Sequence, residues 1–326
     1  MRLLTVVPAN TAIDFVGRRK FAFGLSIILI LVSVGTFLVQ GLNLGIDFRG
    51  GVLIEVETEG PANIPELRRA LGGLGLGEIQ VQEFGAPNDI LIRVQQQEGG
   101  EDAQQEAITV IKEALGDAAK EYRRTESVGP TIGAELIKAA ILAVSLALGA
   151  ILIYIWFRFE WQFGVGAVIA LSHDVITTIG LFAVTQLEFN LATVAAVLTI
   201  AGYSINDTVV IYDRVREELR RYKKLPIPDL LNLAANRTLS RTFLTSVTTL
   251  IALIALAVFG GPIIRDFSLA MIWGVLIGTY SSIFVAVPAL LLLNLSRSAF
   301  SSGDDSDADD DADDARTTEA SEEQGG

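Results

Sequence analysis

Long apolar runs alternate along this chain with short polar clusters, and the length of the runs predicts what they form. A helix needs roughly 20 consecutive apolar residues to cross a hydrocarbon core. Six stretches meet that requirement, at about 21–41, 137–157, 163–185, 189–211, 242–261 and 267–294. The last is long enough for a tilted helix, and Pro288 predicts a kink in it. Between the first two runs the period changes. "VLIEVET" (52–58), "EIQVQEF" (78–84), "ILIRVQQ" (90–96) and "YRRTESV" (122–128) read as strands. "GAPND" after the second of these reads as a turn. "NIPELRRALGGLG" (63–75) reads as a short helix closed by glycines. "EDAQQEAITVIKEALG" (101–116) is an amphipathic helix with Ala107, Ile108, Ile111 and Leu115 on its apolar side. The order β-α-β-β-α-β is that of the split, ferredoxin-like unit.

The expected architecture is therefore a polytopic α-helical membrane protein. It has a first span at 21–41, an external ferredoxin-like α+β domain at 42–136 and a five-helix membrane domain at 137–297. Charge fixes an orientation. Arg18, Arg19 and Lys20 precede the first run, Arg158 sits in the turn after the second, and Arg297 follows the last. Residues 213–241 carry eight bases against four acids, whereas 42–136 carry eight bases against seventeen acids. By the positive-inside rule both termini, including residues 1–20, are cytoplasmic and 42–136 lie outside. The first run is not followed by a small-residue cleavage pattern, so it reads as a retained span rather than a signal peptide.

Composition sharpens this reading. The 326 residues are 51% hydrophobic, and the mean hydropathy of +0.47 is too high for an ordinary soluble protein. The net charge is −13, but residues 301–326 hold eleven acids and one Arg, which leaves −3 for the rest. That acidic tail, 298–326, has no apolar period and reads as disordered and cytoplasmic. No basic stripe points to nucleic acid. The chain has no Cys and a single His, which excludes disulfides, thiolate catalysis and a multi-histidine metal site. No cofactor, metal or catalytic residue is expected.

The candidate chemistry is ionisable groups where lipid should be. Asp207 lies in the fourth run beside Asn206, with Gly202 and Ser204 small enough for close helix approach. A carboxylate facing lipid is costly, so Asp207 must face protein or water, where gain and loss of a proton would make it a carrier. Arg241 opens the fifth run as a counter-charge, and Thr245, Thr248 and Thr249 continue a polar stripe from it. The alternative for Arg241 is a simple membrane anchor. His173 and Asp174 fall in the third run with Thr177 and Thr178 a turn later, and read either as a polar helix contact or as functional groups. "LGIDFRGG" (44–51) follows the first span. Asp47 and Arg49, if extended, point the same way as a local ion pair, and Gly50 and Gly51 allow a sharp bend. With Gly129 and Pro130 of "SVGPTIGAEL", this segment is either a linker or the two halves of a hinge.

Taken together, "GIDFRGG" (45–51), "SVGPTIG" (127–133), "HDV" (173–175), "GYSINDTVV" (202–210), "RTFLTSVTTL" (241–250) and "FGGPIIRDFSLAMIWGVLIGTYSSIFVA" (259–286) resemble the SecD/SecF protein-export family, on its SecF side. The resemblance spans residues 10–297 and leaves out the acidic tail. It implies membership of the RND superfamily, six spans with an external ferredoxin-like domain, and partnership with SecD. It further implies association with the SecYEG channel, with SecA-driven translocation of unfolded preproteins and with YajC and YidC. The proton-motive force would promote late steps of export across the bacterial inner membrane. H⁺ is the implied coupling ion, with Na⁺ the alternative, and a transport factor rather than an enzyme is implied. By the same resemblance Asp207 and Arg241 match the family's functional membrane Asp and Arg, a further Asp coming from SecD. Two other readings compete: a non-catalytic scaffold of the translocon, and a small-molecule exporter of the RND type, for which about 95 external residues are too few.

Overall fold

The computed structural model describes residues 11–295. The acidic tail and residues 1–10 lie outside the described residues. The first apolar run forms α1 (Arg19–Gln40), followed by one helical turn, α2 (Ile46–Arg49). Then come β1 (Gly51–Thr58), α3 (Ile64–Gly72), β2 (Ile79–Phe84), β3 (Ala86–Val94), α4 (Gly100–Leu115) and, after a 3₁₀ turn, β4 (Ala119–Val128). The strands form one antiparallel sheet in the order β2-β3-β1-β4, the arrangement of a ferredoxin-like unit.

Alternation explains the packing of this domain. Val52, Ile54 and Val56 of β1 and Ile90, Ile92 and Val94 of β3 point to one face. Leu71 of α3 and Ile108, Ile111 and Leu115 of α4 cover them, so the predicted apolar side of α4 is the buried one. Asn63 caps α3, accepting from Glu66 N while its amide donates to the Glu66 carboxylate at 2.9 Å. The expected turn "GAPND" shrinks to Gly85, at φ +94°, and Ala86 to Asp89 join β3. On the other face Glu57 accepts from Lys120 and Arg123, both at 2.5 Å, and Arg123 also reaches Asp89 at 2.7 Å. These two cations hold the Glu57 carboxyl below its ordinary value of 4.5.

The membrane portion comprises α5 (Pro130–Arg158), α6 (Trp161–Thr185), α7 (Leu191–Arg221), α8 (Ile227–Phe259), α9 (Gly261–Ser281), a π-helical turn (Ser282–Ala286) and α10 (Val287–Leu292). With α1, and with α9 to α10 counted as one span, six helices among the described residues are long and apolar enough to cross a membrane. The expected fold class is the one found. α6, α7 and the last span form the buried middle, while α1, α5 and α8 are peripheral. α7 runs ten residues past its apolar stretch and α8 begins fifteen before its own. Hydropathy marks only where a helix is apolar. The hydrogen-bonded ladder continues until Tyr222 and Pro226. The extensions are held by ions: Glu218, fully buried, receives Arg214 at 2.7 Å and also Arg237 of α8.

The kink expected at Pro288 takes the form of the π-turn. Proline has no N–H to return to the carbonyl four residues back, so the ladder is reset just before it. At the end of the π-turn the carbonyl of Ala286 accepts from the Tyr212 hydroxyl of α7 at 3.0 Å. Gly166 makes room for that hydroxyl, since a Cβ there would stand 2.4 Å from it.

Candidate functional site

Ser204, Asp207 and Thr208 stand at i, i+3 and i+4 on α7, so they share one face, and all three are buried. Asp207 is 4% exposed, and its Oδ2 is buried without a hydrogen-bond partner. Thr208 shares a hydrogen bond with Ser282 of the π-turn at 2.9 Å. Gly202 and Asn206 fall on the opposite face and are exposed. Helical phase therefore turns Asn206, expected to support Asp207, away from it, and Gly202, expected to allow close helix approach, meets nothing within 4 Å. Close approach comes instead from glycines of the partner helix. A Cβ on Gly278 of α9 would stand 3.2 Å from the Cβ of Ser204, and one on Gly274 would collide with Ile200.

Arg241 on α8 is the charged neighbour of Asp207. Among the described residues no ion pair within 4 Å joins the two, and Arg241 is exposed. The threonine stripe also shifts by one position. Thr245 donates to Arg241 O and Thr242 O at 3.1 and 2.9 Å, and Thr248 to Leu244 O at 2.9 Å, so these hydroxyls serve their own helix. The buried polar face of α8 is Thr238, Thr242 and Ser246. Ser246 reaches Thr279 of α9 at 2.7 Å and Tyr203 of α7 at 3.4 Å.

Asp174, a minor candidate from sequence, is the most connected acid in the bundle. It is fully buried on α6. His173 Nδ1 lies 2.9 Å from its Oδ1, and the hydroxyls of Ser204 and Ser281 both donate to Oδ2, Ser281 at 2.6 Å. Thr178 donates to its backbone carbonyl at 2.7 Å. One carboxyl thus ties α6, α7 and α9. Sequence reasoning missed Tyr280, Ser281 and Ser282 as members. Their signal was three consecutive hydroxyls inside an apolar run, six residues before a proline.

The connections to the inserted domain differ from a free hinge. Residues 46–49 form a helical turn, so Asp47 and Arg49 do not pair side by side as an extended strand would place them. Asp47 instead accepts from Leu191 N at 2.9 Å and caps α7, while Arg49 is exposed. Leu44 pairs with Phe189 as an isolated parallel bridge, with Gly45 N donating to Phe189 O at 2.9 Å. Arg93 of β3 binds Glu188 in the same loop. Gly50 and Gly51 have φ of +73° and +114° and turn the chain into β1. Gly129 alone separates β4 from α5, which starts at Pro130, where a missing N–H is harmless. Because β1 and β4 are neighbours, the two connections run side by side.

The profile described as "Protein export membrane protein SecD/SecF, C-terminal" matches residues 108–296, and that of the SecD/SecF GG motif matches residues 35–62. A protein translocase subunit SecF of Rickettsia bellii is 47% identical over 292 residues, covering 89% of this chain and 96% of its own. That of Magnetococcus marinus is 52% identical over 288 residues, covering 87% and 93%. Among solved structures, SecDF from Thermus thermophilus, titled a translocon-associated membrane protein, is 36% identical with a TM-score of 0.79. The match covers 88% of this chain but only 39% of that one. SecDF in a super-membrane-facing form is 34% identical, with a TM-score of 0.65 over 90% of this chain and 40% of the other.

Proposed function

The chain belongs to the SecD/SecF family of protein-export membrane proteins, and on that premise we propose that it is the SecF-type subunit of an auxiliary complex of the Sec translocon. Its partner is a SecD-type chain, standing where the solved SecDF chains extend beyond the part matched here. The pair works beside SecYEG, after SecA has pushed an unfolded preprotein, with YajC and YidC as further companions. It sits in the bacterial inner membrane with both termini cytoplasmic and the inserted domain outside, a reading supported by the distribution of Lys and Arg. It is a transport factor, and the proton-motive force drives its late step in export.

The observation that supports proton coupling is the state of Asp207: a carboxyl 4% exposed, with Oδ2 unpartnered, among six apolar helices. Such a group is unfavourable when ionised and is eased by a proton. Protonation removes the charge that faces Arg241, and α7 and α8 re-pack. Because α7 is capped by Asp47, a shift of that helix reaches the inserted domain directly. Each charge crossing the membrane supplies about 2.3 kcal/mol per 100 mV. A scaffold without coupling leaves the buried, unpartnered oxygen unexplained.

The test is Asp207→Asn in inverted vesicles or proteoliposomes carrying the whole translocon. The variant is expected to assemble with its partner and to lose all stimulation of export by a proton gradient. Export at the wild-type rate under a full gradient would refute the carrier role. Replacing H⁺ by Na⁺ gradients in the same assay identifies the coupling ion, for which H⁺ is expected.

A further inference from the structure

The carrier role of Asp207 makes no use of His173 and Asp174, yet they are among the most deeply buried ionisable residues of the bundle, at 2% and 0% exposure. Their arrangement is asymmetric. Asp174 Oδ2 accepts two hydroxyl donors, Ser204 from α7 and Ser281 from α9. Oδ1 is left to His173 Nδ1 at 2.9 Å. Three donors around one carboxyl suit its ionised form, with the imidazole carrying its proton on Nδ1. The other ring nitrogen, Nε2, is buried and has no hydrogen-bond partner. A buried imidazole nitrogen without a partner calls for an explanation, and exchange of a proton is one that fits histidine.

We infer that the His173–Asp174 pair is a second proton-binding site of the membrane bundle, with His173 Nε2 as its port. The proton balance is simple. With Asp174 ionised and His173 neutral the pair carries −1. One proton added at Nε2 makes an imidazolium beside a carboxylate and brings the pair to zero, with no bond broken elsewhere. The change is felt by three helices. The pull of Oδ2 on Ser204 and Ser281 weakens as the imidazolium draws on the same carboxylate, which loosens α6 from α7 and α9.

The hydrogen bonds of the site reach the residue next to Asp207. Ser204 precedes Asp207 by three residues on the same face of α7, and Ser282, hydrogen-bonded to Thr208, also reaches the carbonyl of Ser204 at 3.4 Å. Of the elements packed against α6, α7 carries Asp207 and Tyr203 beside Ser204, and α9 carries Tyr280 beside Ser281. The Tyr280 ring stands 6.1 Å from that of His173, while its hydroxyl binds Ser26 and the carbonyl of Ala22 on α1. α1 has no ionisable residue after Lys20 and buries two hydroxyls, Ser26 and Ser33, and α5 has no ionisable residue between Lys138 and Tyr154. α10 and the π-turn have none. The hydrogen-bonded path ends at Thr208, the neighbour of Asp207, so the two acids are coupled by charge: they repel when both are ionised, and a proton at one site eases the loss of a proton from the other. That coupling is what a carrier needs in order to pass through distinct states.

His173 is the chain's single histidine, so its ring can be observed alone. The experiment is ¹⁵N NMR of imidazole-labelled chain, assembled with an unlabelled SecD-type partner in lipid nanodiscs and titrated with pH. Nε2 is expected to gain a proton as pH falls, with Nδ1 protonated throughout. Asp174→Asn removes the anion and should lower the proton affinity of His173 at least tenfold. Ser204→Ala keeps the charge and removes one donor from Oδ2, so it should raise that affinity, and it serves as well if Asp174→Asn does not assemble. Asp207→Asn should shift the same titration. A ring that stays in one protonation state wherever the complex is folded overturns the inference, as does a midpoint indifferent to Ser204→Ala. Its place in export rests on the proposed proton coupling, whereas the titration does not. Failure of Asp207 as carrier would appear in export rates and leave the His173 titration standing.

Discussion

At Gly51 the backbone has φ +114°, and an added Cβ would stand 2.3 Å from the carbonyl oxygen of Val94. Both the conformation and the space require glycine, so Gly51→Ala should strain the entry to β1 by about 1–3 kcal/mol or more. A thermal melt of the purified protein should fall by several degrees, whereas Gly73→Ala, with no atom nearer than 3.7 Å, should leave it unchanged. Glu57 supports a second measurement. Its carboxyl is held below 4.5 by Lys120 first and Arg123 next, so its folded value is lower than its unfolded one. The stability it contributes is complete above 4.5 and is lost as pH falls through the folded value. Protection factors in β1 and β4, referred to the intrinsic exchange rate at each pH, should therefore fall on acidification below 4.5. Glu57→Gln should lower them at neutral pH and flatten that acid dependence. At this scale the sequence showed that Asp207 must be hidden, because depth in an apolar run is legible. It did not show that Asp174 holds three donors, because two of them come from residues 30 and 107 positions away.

Helix α7 carries both Ser204 and Asp207, and its first turn is secured twice. Asn190 and Thr193 form a capping box, with Asn190 Oδ1 accepting from Thr193 N at 3.0 Å, and Asp47 accepts from Leu191 N. Losing one such cap costs about 1 kcal/mol. Asp47→Ala should accordingly speed amide exchange at residues 191–194 about fivefold, and Asp47→Asn, which keeps the accepting oxygen, should not. An unchanged rate in both would mean that the domain and α7 are not mechanically joined at this point. The capping box lies in the sequence as Asn-x-x-Thr, and the amphipathic face of α4 was equally open to reading from its period. The contact of Asp47 was not, since it joins the end of one element to the start of another 144 residues on. Nor was the buried face of α8. One step of 100° separates Arg241, Thr245 and Thr248 from Thr242 and Ser246, and only the packed neighbour decides which row turns inward.

The inserted domain and its leading turn α2 meet the membrane bundle through the Leu44–Phe189 bridge, the Arg93–Glu188 pair and the Asp47 cap, through the Phe48 ring, 6.1 Å from that of Phe189, and through packing of α2 on α5. The domain also keeps its own apolar cluster around Ile54, Ile92 and Ile111, and the bundle its own around Phe163 and Tyr212. The two solved SecDF structures match this chain with nearly equal identity and coverage, yet the overlap in shape is lower for the super-membrane-facing form. If the export cycle moves the inserted domain relative to the bundle, the contacts at the α6–α7 loop must open and close. The chain has no cysteine, so a pair introduced as Leu44→Cys and Phe189→Cys would be the only thiols in it. Backbones paired as these are lie about 4.8 Å apart, within the reach of a disulfide. The oxidised protein is expected to assemble normally and to lose the gradient-dependent part of export, and a reductant should restore it. Equal export before and after reduction would mean that the domain rides rigidly on α6 and α7, and that work reaches the preprotein by movement elsewhere in the complex.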